Sequence, residues 1–118
     1  MLLKSRFLAL SAVAQSLALL APAFGVAQAE DMATFEVTLT GAAFDPVELH
    51  VPAQTPFVIR MKNANAAPAE FEAKDMKIEK VVAGNSEIVV RVKALAPGKY
   101  LFVDEYQEDV AKGYVIAE

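Results

Sequence analysis

Residues 44–62 read FDPVELHVPAQTPFVIRMK, and this stretch decides the fold class. Val47, Leu49 and Val51 alternate with Glu48 and His50; beyond a linker flanked by Pro52 and Pro56, Phe57, Ile59 and Met61 alternate with Arg60 and Lys62. An apolar residue at every second position puts one face of an extended strand on a core and the other in water, and prolines end such runs. The same period extends outward on both sides. Phe35, Val37 and Leu39 alternate with Glu36 and Thr38; Ile88, Val90 and Val92 lie among Glu87, Arg91 and Lys93; Tyr100 shares a parity with Phe102; and Tyr114 to Ala117 forms a last apolar run. Gly41, Gly84, Asn85, Pro97, Gly98 and Gly113 punctuate the runs, and no helical stripe is sustained after residue 29. Seven or so short strands, each with one apolar face, predict an all-β antiparallel sandwich without internal repeats.

The chain has 118 residues, 55% hydrophobic, with no cysteine and a formal charge of −4. Residues 1–29 distort these totals. They carry Lys4 and Arg6 as their only charges, an apolar stretch from Phe7 to Leu20, and a small-residue end at Ala27-Gln28-Ala29. A basic start, an apolar centre and an A-x-A end predict a signal peptide cut after Ala29, leaving one domain over residues 30–118 in the periplasm. The rival reading is a retained anchor, but Ser11, Gln15, Ser16 and Pro22 interrupt the run, and a cleaved product keeps no stable membrane insertion. The remaining 89 residues hold nine basic and fifteen acidic side chains, a formal charge of −6. That balance excludes a basic nucleic-acid-binding surface. The exported domain must hold together by its core, with no disulfide to help.

Two segments break the alternation. Residues 63–69, NANAAPA, are a loop of small residues leading into Glu70-Phe71-Glu72, and residues 74–80 read as an irregular crossing. Residues 104–109, DEYQED, hold four acids between the last two strands. Glu70 and Glu72, two apart on a strand, project to one side while Phe71 projects to the other. Asp104 shares its parity with Tyr100 and Phe102, which places its carboxylate at the rim of the core. A catalytic constellation is absent. Ser86 is the only serine after residue 29 and His50 the only histidine of the chain, neither lies in a motif that exposes a nucleophile, and no glycine-rich phosphate loop occurs. The chain is expected not to be an enzyme.

Three stretches resemble the EfeO-type cupredoxin-like family of secreted bacterial proteins: residues 44–57; Pro68 to Glu72 followed by Glu79 and Lys80, similar to an acidic signature of that family; and residues 97–104, PGKYLFVD, similar to the strand before a copper loop. Together they span residues 33–118. The resemblance implies a Greek-key cupredoxin-like sandwich. It also implies that blue-copper members would place cysteine, histidine, methionine and a second histidine where this chain has Asp104, Gln107, Val110 or Ala111, and Ala69. A blue-copper centre requires a thiolate, so with no cysteine that electron-transfer chemistry is excluded.

A carboxylate site is what remains. If the Glu70 loop lies beside the last loop, as the resemblance implies, Glu70, Glu72, Asp104, Glu105 and Glu108 converge as metal ligands. All-oxygen donors suit Fe²⁺, Mn²⁺, Ca²⁺ or Mg²⁺ better than Cu(I). The family's association with iron or copper handling implies an exported accessory protein that binds or delivers a divalent metal ion for uptake, with a membrane iron permease or a periplasmic transport protein as partner. The alternative is a metal-free interaction module whose acidic rim docks on such a permease or another envelope protein. In the structural reading of the same residues, Asp104 forms a salt bridge to Lys80 or Lys112, and Glu70 and Glu72 are a solvated strand face. His50 is expected at the surface, Met61 in the core, and Met76 as a gap-filler rather than a soft ligand.

Overall fold

The computed structural model describes residues 32–118; the proposed leader lies outside them. Nine strands follow in chain order: β1 Thr34–Thr40, β2 Ala43–Asp45, β3 Glu48–Val51, β4 Phe57–Asn63, β5 Ala69–Ala73, β6 Ile78–Val82, β7 Ser86–Val92, β8 Gly98–Asp104 and β9 Lys112–Ala117. They form a four-stranded sheet in the order β2-β1-β4-β7 and a five-stranded sheet in the order β3-β9-β8-β5-β6. Single 3₁₀ turns at Lys74–Met76 and Glu105–Gln107 interrupt the connections after β5 and β8.

The period-2 runs became strands for the reason they suggested. Val37 and Leu39 of β1, Leu49 and Val51 of β3, Phe57, Ile59 and Met61 of β4, Val90 and Val92 of β7, and Phe102 of β8 are all buried. Each fully buried side chain of this kind contributes on the order of 2 kcal/mol of transfer free energy. Phe44, Phe71 and Phe102 meet in the core with ring centroids 5.0 to 6.4 Å apart. Phe35 packs edge-on against Phe57 at 5.8 Å. Met61 and Met76 are both buried in this core, while His50 is exposed, its Nδ1 2.8 Å from Glu118 Oε1.

The sheets are mixed rather than antiparallel throughout. β1 runs parallel to β4, and β3 parallel to β9. The chain leaves the smaller sheet after β2, lays β3 at the edge of the larger one, and returns as β4 alongside β1 in the same direction. Alternation reports which face a residue occupies; it carries nothing about the direction of the neighbouring strand.

Candidate functional site

The loops between β1 and β2, β4 and β5, β6 and β7, and β8 and β9 meet at one end of the sandwich. Asn63, almost fully buried at the end of β4, ties two of them: its Nδ2 donates to the carbonyl of Ala67 in the β4–β5 loop and to those of Val82 and Ala83 at the end of β6, at 2.9 to 3.3 Å. Asn65 clasps Gly41, accepting from its N–H at 2.7 Å and donating to its carbonyl at 2.9 Å. Gly41 has φ +59°, the left-handed conformation that glycine adopts without cost. Gln107 Nε2 donates to the same Gly41 carbonyl at 3.1 Å and to Asp104 Oδ2 at 2.8 Å.

Asp104 is 1% exposed, and its position follows from β8, whose alternate residues point into the core. Its Oδ1 accepts the backbone N–H of Glu70 at 2.9 Å and of Tyr106 at 3.2 Å. The first bond pins β5 to the end of β8; the second caps the 3₁₀ turn at Glu105–Gln107. A buried carboxylate with three donors is satisfied by the protein itself. Its partners are amides, and no salt bridge from Lys80 or Lys112 reaches it among the described residues. The positions expected to correspond to blue-copper ligands thus hold Asp104 and Gln107 bonded to each other, with Ala69 and Ala111 buried beside the core. These residues do not fit a blue-copper ion.

The carboxylates that do meet lie on the outer face of the five-stranded sheet. Glu70 and Glu72 leave β5 opposite Phe71, Glu79 stands on β6 across from Glu72, and Glu105 opens the turn after β8. Oxygens of Glu70, Glu79 and Glu105 all lie within 4.8 Å of one another. Glu72, buried, adds a fourth carboxylate, with Lys74 Nζ 3.5 Å from its Oε1. The crowding raises two pKa values. A proton shared first with Glu72 and then with Glu70 holds the Glu105 carboxyl up to about 7 from an ordinary 4.5, and desolvation adds to it. Glu79 is raised too, chiefly by hydrogen bonding to Glu70 and by its charge. Like charges at this spacing disfavour full ionisation.

Of the residues predicted for the site, the structure therefore gathers Glu70, Glu72 and Glu105, turns Asp104 inward beneath them, and leaves Glu108 aside. Glu108 instead lines a neighbouring open groove of about 400 Å³ with Glu72, Lys74, Asp109 and Lys112, floored by Leu101 and Val103. Glu79 joins the cluster through strand register, which places it opposite Glu72. The acidic signature of the resemblance holds Glu79 with Glu70 and Glu72, but only the register fixes which of them it faces.

A sequence model of the cupredoxin-like domain matches residues 8–117. An uncharacterised protein of Rickettsia prowazekii is 31% identical over 81 residues, covering 69% of this chain and 65% of that protein's length. Auracyanin A, a blue copper protein of Chloroflexus aurantiacus, superposes with a TM-score of 0.62 at 21% identity, over 73% of this chain and 98% of its own. The metal-binding domain of the Cu(I)-exporting P-type ATPase CopA of Streptococcus pneumoniae D39 gives 0.61 at 16% identity, over 72% and 84% of the two chains. At these identities the solved structures establish the fold: an all-β cupredoxin-like sandwich.

Proposed function

This chain belongs to the cupredoxin-like domain family, and from that premise we propose that it is a metal-binding accessory protein acting outside the cytoplasm. It takes a divalent cation, iron or copper, on Glu70, Glu79 and Glu105, with Glu72 beside them. In this reading it stands with the EfeO-type branch and passes its ion to an uptake partner in the envelope, as a binding protein and not a catalyst.

The observation that carries the reading is the convergence of Glu70, Glu79 and Glu105 within 4.8 Å, from three separate segments, together with the proton that the cluster retains on Glu105 up to about pH 7. A divalent cation would supply the positive charge that this proton now supplies. The printed descriptions of auracyanin A and of the CopA domain name copper, which keeps copper among the ions to test. Oxygen donors make Fe²⁺ and Mn²⁺ the other candidates. Because binding displaces the proton on Glu105, affinity is expected to rise with pH through about 7.

Isothermal titration of the protein with Fe²⁺ under anaerobic conditions, Mn²⁺ and Cu²⁺ tests this directly. One ion should bind per chain, with proton release, and Glu105→Gln and Glu79→Gln should each weaken binding about tenfold or more while circular dichroism shows the sandwich still folded. Absence of binding to any of the three ions by a folded protein would overturn the metal reading, leaving the metal-free docking module as the surviving alternative.

A further inference from the structure

Four strands end the two sheets, and three are guarded against pairing with another chain. β2 has three residues and runs into Pro46; β3 has four and runs into Pro52. β6 carries Lys80 on the parity of the buried Ile78 and Val82, an inward charge that blunts an edge. β7 has none of these devices. Its seven residues, SEIVVRV, contain no proline or glycine and no charge on the parity of Ile88, Val90 and Val92. β7 pairs only with β4, and among the described residues its backbone makes no hydrogen bond outside that pairing.

The outward parity of β7 is Glu87, Val89 and Arg91, with Val89 60% exposed. Arg91 has no carboxylate within 4 Å among the described residues, and Glu87 has only a 4.0 Å approach to Arg60 Nε, an N–H that lacks a hydrogen-bond partner. We propose that β7 is the docking edge for a second copy of this chain, the two β7 strands pairing antiparallel about a two-fold axis at Val89 and joining two four-stranded sheets into one of eight.

The register follows from the sequence. A two-fold axis perpendicular to the sheet keeps outer faces together, so it must pass through a residue rather than between two. Centred on Val89, Glu87 of each copy stands opposite Arg91 of the other, Val89 meets Val89, and Ile88 meets Val90. Centring on Glu87 or Arg91 sets like charges opposite each other; centring on Ile88 or Val90 opposes a charge to Val89. Only the Val89 register pairs both charges, twice over, and the opposed pairs of a ladder are what select its register.

The test is the mass in solution, by analytical ultracentrifugation across the micromolar range, of protein expressed from the full sequence and purified as the cell leaves it. A dimer is expected. Arg91→Glu and Glu87→Arg should each raise its dissociation constant about tenfold or more, by opposing like charges at both ends of the ladder. The double variant, again self-complementary, should restore the dimer. Mixing the two single variants should give a heterodimer, and circular dichroism and melting curves establish that each variant is folded. A monomeric wild type, a larger open-ended assembly, or a dimer indifferent to the single reversals overturns the proposal.

Discussion

Asp104 shows how one side chain can inherit a position and change its work. Replacing it with alanine leaves the Glu70 and Tyr106 N–H groups without their carboxylate acceptor and Gln107 with the Gly41 carbonyl alone. The expected cost is about 3 kcal/mol, a fall in melting temperature on the order of 15 °C for a domain of this size. Asp104→Asn should cost less, since a carbonyl oxygen remains for the Glu70 and Tyr106 N–H groups, and it should leave cation affinity at the Glu70, Glu79 and Glu105 cluster within about twofold. Thermal unfolding and titration of both variants separate a structural pin from a ligand. The burial of Asp104 was legible from its shared parity with Tyr100 and Phe102. Its donors were not, because the Glu70 N–H arrives from 34 residues away. Glu79 stands in the sequence only within the acidic signature that the resemblance carries, and nothing local gives it a neighbour until register sets it across from Glu72.

At the scale of elements, β9 presses against β8 so closely that Gly113 has no room for a side chain. A Cβ on Gly113 would overlap the ring of Phe102, itself fully buried and in edge contact with Phe44. The ring has nowhere to retreat, so Gly113→Ala is expected to destabilise the fold by about 2 kcal/mol, seen as a lower urea midpoint with an unchanged slope. Gly84→Ala is expected to be as costly, because the added carbon would meet the Ala66 carbonyl where the β4–β5 and β6–β7 loops touch. Both glycines read as turn punctuation in the sequence, and at Gly113 that reading misses the cause. Its actual constraint is the aromatic ring of another strand. The alternation in β1, β3, β4 and β7 correctly placed their buried faces, except that Val47, expected on the apolar face with Leu49 and Val51, precedes β3 and is 54% exposed, and β2, only three residues long, is too short to show a period.

For the whole molecule, the carboxylate cluster sets a pH dependence. Glu105 has its carboxyl raised from 4.5 to about 7 in the folded state, so the folded protein holds a proton that the unfolded chain releases. This contribution to stability is fully present below about pH 4.5 and is lost as the pH rises through about 7. Between those values the melting temperature of metal-free protein should fall with rising pH, and the slope should flatten in Glu105→Gln; a slope equal in both proteins would remove Glu105 as its source. A bound cation at 100 times its dissociation constant should add about 2.7 kcal/mol of stability, reversing the loss at neutral pH. By itself the sequence determined an all-β sandwich, its buried faces and the exclusion of blue-copper chemistry, because period-2 burial and the presence of a thiolate are local properties readable residue by residue. Only the tertiary structure decided that β1 and β3 pair in parallel, that Asp104 is consumed by amide donors, and that Glu79 replaces it among the converging carboxylates. Those outcomes depend on which distant strands become neighbours and in what register, and the packing of the two sheets around Phe44, Phe71 and Phe102 is what selects them.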